Sequence, residues 1–152
     1  MLGCDSQPVP YRDKAAGYAV TFPGPPATNR FTEPTPFGSM EWFSTEYTSS
    51  SRMDESYFVQ VGNLPPGDKG GTTPGEILGT FQRFLEFRLG KLTLTPLSAS
   101  QRPGFRYHAT VPSGDAVEGI VVCRRGRIHR AQAILGRSNP KASAFLDSFK
   151  VD

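Results

Sequence analysis

The stretch from Thr73 to Gly90 is the one long segment with every mark of an amphipathic helix, so whatever the rest of the chain builds must offer it a packing partner. Thr73 is a good N-cap, Pro74 suits the first helical position where no N–H is missed, and Glu76 completes a Thr-x-x-Glu capping box. Ile77, Leu78, Phe81, Phe84 and Leu85 recur at helical spacing on one face, Gln82, Arg83 and Glu86 fall elsewhere, and Gly90 offers a left-handed stop. An apolar stripe of this kind is a scaffold signal. Its Gly-rich approach, with Gly67, Gly70 and Gly71, contains neither Gly-x-x-x-x-Gly-Lys-Ser/Thr nor Gly-x-Gly-x-x-Gly, which argues against a nucleotide loop.

The partner is a set of strands. Tyr18, Val20 and Phe22 alternate before Pro23-Gly24-Pro25-Pro26 ends the run, and Met40 to Tyr47 has the aromatic content of a second strand. Between them, Ala27 to Ser39 reads as a polar, Pro-rich connection. Tyr57, Val59 and Val61 give a third strand, an antiparallel hairpin partner of the second. After the helix, Lys91 to Thr95 alternates, and Phe105, Tyr107, Ala109 and Val111 follow the break at Pro103-Gly104. Ala116 to Arg124 and Arg127 to Leu135 form the clearest hairpin, turning at Arg125-Gly126. Asn139-Pro140 then supplies an N-cap and first-turn pair for a short C-terminal helix with Ala142, Phe145, Leu146 and Phe149 on one side. The expected fold class is α+β: an antiparallel β-sheet packed by one long central helix and a short C-terminal helix.

At 152 residues the chain is long enough for one core without metals or disulfide staples, and its 14 prolines and 16 glycines imply many turns. Seventeen basic residues against 14 acidic ones, scattered along the chain, fall short of a nucleic-acid-binding balance. No apolar run reaches the roughly 18 residues that would span a bilayer, so membrane contact would require an anchor. Leu2-Gly3-Cys4-Asp5 offers one, because it resembles the end of a bacterial lipobox, with Cys4 acylated and the signal peptide lying upstream of Met1. Residues 1–14 then read as lipobox remnant and tether, stiffened by proline from Ser6 to Pro10, and residues 15–152 as a single α+β domain.

Candidate chemistry is sparse. Cys123 and His129 flank the last hairpin turn, and an envelope hydrolase or thiol enzyme using Cys123 with His129 or His108 is the enzymatic alternative. A two-residue turn at Arg125-Gly126 sets Cys123 opposite Ile128 and Val122 opposite His129, which puts the thiol and the imidazole on opposite faces of the sheet. Two histidines without clustered carboxylates or cysteines give no metal-ligand spacing, and no cofactor motif is present. Arg124, Arg125, Arg127 and Arg130 are the densest basic cluster, suited at a hairpin tip to an anionic ligand or to a solvated edge that resists strand pairing.

Gly17-Tyr18-Ala19-Val20-Thr21-Phe22-Pro23-Gly24-Pro25-Pro26, the Tyr57 to Val61 strand, Pro103-Gly104, Arg127-Ile128-His129 and Phe145-Leu146-Asp147-Ser148-Phe149 together resemble a group of bacterial secreted or lipoprotein domains related to the PsbP-like fold. That fold is shared by extrinsic photosystem subunits and a Ran-GTPase release factor. The resemblance implies an antiparallel sheet flanked by helices and carries no catalytic residue onto this chain. His129 departs from it, standing where such domains often have Tyr. The sequence therefore points to a noncatalytic binding or assembly module of the bacterial cell envelope, lipid-anchored on the extracytoplasmic side, with an envelope protein or anionic ligand as partner. A cytosolic partner-binding protein starting at Met1 is the other alternative.

Overall fold

A computed structural model describes residues 7–49, 55–67, 71–136 and 140–152. Cys4 and Asn139 lie outside the described residues. Seven strands form one antiparallel sheet in the order β3 (Ala27–Thr35), β4 (Gly38–Thr48), β5 (Ser56–Asn63), β9 (Arg127–Leu135), β8 (Ala116–Arg124), β7 (Gly104–Thr110) and β6 (Thr93–Thr95). A second sheet of three strands, β1 (Val9–Asp13), β2 (Tyr18–Phe22) and β10 (Lys150–Val151), packs on one face of the first.

The helix α1 (Pro74–Leu89) covers the opposite face, against β7 and β8. Its N-terminus is built as its sequence dictates. The Thr73 side chain accepts from the Glu76 N–H and the Glu76 carboxylate accepts from the Thr73 N–H, closing the capping box. These bonds lower the Glu76 pKa. Gly90 ends the helix with φ 85° but ψ −159°, a glycine-only extended conformation in place of the left-handed helical stop. Ile77, Leu78, Phe81 and Leu85 are buried against Met40, Trp42, Phe105, Val121, Cys123 and Ile128.

The other core lies between the two sheets. Tyr18, Val20 and Phe22 of β2 meet Val59, Val61, Ile120 and Ala131 of the large sheet, and α2 (Pro140–Ser148) adds Ala142, Phe145 and Leu146. The Tyr18 hydroxyl donates to Thr45 Oγ1 at 3.1 Å, bonding sheet to sheet. The Gln101 side-chain amide donates to the carbonyls of Leu146 and Phe149, fastening the end of α2 to the loop before β7.

Two segments depart from the sequence reading. Val9–Asp13, expected within the tether of residues 1–14, is strand β1, paired with β2 from Val9↔Phe22 to Asp13↔Tyr18, and Tyr11 packs on the core. The Ala27 to Ser39 connection is largely strand β3, paired with β4. Both are edge strands with much exposed surface, so neither carries the apolar alternation that marks a half-buried strand, and Pro10 and Pro34 are tolerated because an edge strand has a free side.

Candidate functional site

The β8–β9 hairpin turns as expected at Arg125-Gly126, with Cys123 opposite Ile128, Val122 opposite His129 and Arg124 opposite Arg127. Arg125 and Gly126 have φ of 53° and 72°, the two positive values of a type I′ turn. Such a turn favours Asn-Gly, and a left-handed residue with a Cβ costs about 1 kcal/mol. A long cation therefore occupies a position where a smaller residue would be less strained.

Beside this turn lies a cavity of about 280 Å³, walled by Arg124, Arg125 and Arg127 from the hairpin, Lys14 to Gly17 from the β1–β2 turn, His129 and Asp152. The two backbones are bound together across it. Arg127 Nη1 donates to the Ala15 carbonyl at 2.7 Å, Arg124 Nη1 to the Val151 carbonyl at 2.7 Å, and Arg124 Nε to the Arg102 carbonyl at 2.8 Å. Carbonyls orient these guanidinium groups without neutralising them. The lone carboxylate side chain in the wall, Asp152, is engaged by Arg12 at 3.1 Å. Lys14, Arg124, Arg125 and Arg127 thus converge around one cavity, an arrangement that attracts oxyanions.

His129 sits at the floor of this region, 2% exposed. Its Nε2 lies 2.6 Å from the Ala16 carbonyl, which can only accept, so Nε2 carries the hydrogen. Burial lowers the His129 pKa, opposed by the Ala16 bond and reinforced by Arg127 and Arg124. Its Nδ1 is buried without a protein partner.

Of the four arginines in the sequence cluster, Arg124, Arg125 and Arg127 meet at the cavity. Arg130 does not. It is 8% exposed on the α1 side of β9, where it donates to Tyr107 and Gln132. Its placement is a matter of strand parity, since Arg127 and His129 face the small sheet and Arg130 faces the other way. Lys14 and Asp152, which complete the cavity, come from distant parts of the chain, and no local sequence signal joins them to the hairpin.

Cys123 is a free, buried thiol in the core beneath α1, and burial raises its pKa. His129 belongs to the opposite face, and so does His108, whose neighbour Tyr107 packs in the α1 core. Neither imidazole is placed to deprotonate the thiol. Among the described residues no group of three or more His, Cys, Asp or Glu side chains comes together to hold a metal, and no helix is long and apolar enough to cross a membrane.

Two antiparallel sheets with α1 on one outer face and α2 beside the smaller sheet define a PsbP-like α+β fold. The solution structure of cyanobacterial PsbP from Synechocystis sp. PCC 6803 matches it with a TM-score of 0.58 over 99% of this chain and 95% of that one. Sequence identity between the two is 14%, so the likeness is one of fold. No family model matches the sequence, and no curated protein matches it.

Proposed function

We propose that this protein is a noncatalytic binding or assembly module of the bacterial cell envelope, held at a membrane surface through an acylated Cys4, and that the cavity beside the Arg125-Gly126 turn holds an anionic group of its partner. The observation that carries the binding role is the preorganised charge of Lys14, Arg124, Arg125 and Arg127 around about 280 Å³. Two of these cations are already ordered by backbone carbonyls, so an anion would bind with little further loss of side-chain freedom. The volume suits a single oxyanion group and falls short of the range of drug-sized ligand pockets. The strained backbone of Arg125 supports the same reading, because strain of this kind accumulates at functional positions. Support for the anchor comes from the Leu2-Gly3-Cys4-Asp5 sequence alone.

Titration with inorganic phosphate, followed by amide shifts of Arg125, Gly126 and Lys14, tests the site. Saturable shifts that fall with rising salt and disappear in Arg125→Ser are expected. A flat response in the native protein would overturn the binding role. Metabolic labelling with a fatty acid, abolished in Cys4→Ser of the full-length precursor, tests the anchor independently.

A further inference from the structure

A second polar site lies on the α1 side of the large sheet, and it does not depend on the basic cavity. Ser44, Gln60 and Arg130 stand in one cross-strand row, with Ser44 opposite Gln60 and Gln60 opposite Arg130. The next row on that face holds Glu46, Phe58 and Gln132. Tyr107 reaches this row from β7, two strands beyond β9. Its ring lies across Gly119, where a Cβ would stand 2.4 Å from the hydroxyl oxygen, and its hydroxyl donates to Gln132 Oε1. Arg130 Nε donates to the Tyr107 oxygen at 3.3 Å and Nη2 to Gln132 Oε1 at 2.6 Å, while its guanidinium carbon sits 5.3 Å from the centre of the Phe58 ring.

Every one of these partners is neutral. Burial keeps the Tyr107 phenol protonated, so no phenolate balances the charge. No carboxylate among the described residues lies within ion-pair distance of Arg130. A buried guanidinium held only by neutral acceptors and one ring face is under-compensated, because desolvation is opposed by dipoles instead of an opposite charge. Ser44 Oγ in the same row is buried without a protein partner.

We propose that Arg130 anchors a binding site for a small organic acid, one carboxylate on an apolar stem. The planar fork of Arg130, fixed by Tyr107 and Gln132, matches a planar carboxylate and supplies the opposite charge that the acid needs. Phe58, half-buried beside it, offers the apolar wall for the stem. Glu46, next to Phe58 in its row, disfavours a second acid group. With Arg130 only 8% exposed, its guanidinium is too recessed to meet a flat lipid surface.

Butyrate and its neutral isostere butyramide, titrated into the isotopically labelled full chain, discriminate between outcomes. Butyrate should produce saturable shifts in the Arg130 Nε–H and Gln132 side-chain amide signals, and butyramide should not. Arg130→Lys keeps the buried cation but loses the fork, and should weaken binding roughly tenfold while retaining a native spectrum. The proposal is overturned if butyrate gives no saturable shift up to about 10 mM, if butyramide gives the same shifts, or if the response appears at Arg125 and Arg127 in place of Arg130. Because the first comparison uses the native protein, it holds whether or not Arg130 variants fold.

Discussion

The His129 imidazole on the large sheet donates through Nε2 to the Ala16 carbonyl in the turn of the small sheet, at 2.6 Å. This bond fixes the tautomer and ties the floor of the basic cavity to its far wall. It also sets a pH dependence. Burial holds the folded pKa of His129 below its ordinary value of 6.5. Above about pH 6.5 both folded and unfolded chains are neutral at this residue and it contributes no slope. As the pH falls below that value the unfolded chain takes up a proton that the folded one resists, so stability declines until the folded pKa is reached. Urea denaturation between pH 5 and 8 should show this decline, and His129→Gln should flatten it. An unchanged slope in the variant would remove His129 as its source.

Arg125 should trade stability against binding. Replacing it with Asn puts a residue that tolerates φ of 53° into a type I′ turn, with an expected gain of about 1 kcal/mol in unfolding free energy. The same change removes one of the cations around the cavity and should weaken phosphate binding. A variant that is both more stable and equally competent to bind would show that the strain at Arg125 serves no ligand.

Gly119 is required by Tyr107, not by backbone conformation. Its position directly under the phenol leaves no room for a methyl group, with ring atoms 2.4 to 2.7 Å from an ideal Cβ. Gly119→Ala should displace the ring, separate the hydroxyl from Gln132 and Arg130, and cost roughly 1–3 kcal/mol. Thermal or chemical denaturation measures the cost, and the Arg130 Nε–H signal reports the broken network. A loss in stability with that signal unmoved would mean the ring shifts as a unit with its partners.

Cys123 should behave as a core residue. Its buried, raised-pKa thiol is expected to react with a disulfide reagent at neutral pH only as fast as the surrounding structure opens, and at full rate in denaturant. Immediate labelling of the folded protein would restore the thiol-enzyme reading.

The elements that bury one apolar face were legible in the residues themselves. The capping box at Thr73 and Glu76, the alternation of Tyr57, Val59 and Val61, and the two-residue turn at Arg125-Gly126 each specify a local geometry that tertiary packing then adopts. The register also separated Cys123 from His129. What could not be read was what exposure conceals. β1 and β3 lie at sheet edges, so neither repeats apolar residues in a way that marks it. The basic cavity was half visible, because three of its cations are neighbours in sequence, whereas Lys14 and Asp152 join only through the pairing of β1 and β10 with β2. Arg130 was grouped with them by proximity along the chain, and strand parity sends it to the other side.

The placement of β2 between the first strand and the last has a consequence for biosynthesis. As the chain emerges from a ribosome or a translocation pore, β1 can pair with β2 at once, but β10 comes only after the seven strands of the large sheet and both helices. The small sheet, and with it the wall that carries Asp152, closes only after the large sheet, α1 and α2 have all been delivered. A chain stalled before β10 would therefore lack both the third strand of the small sheet and the wall of the basic cavity that carries Asp152.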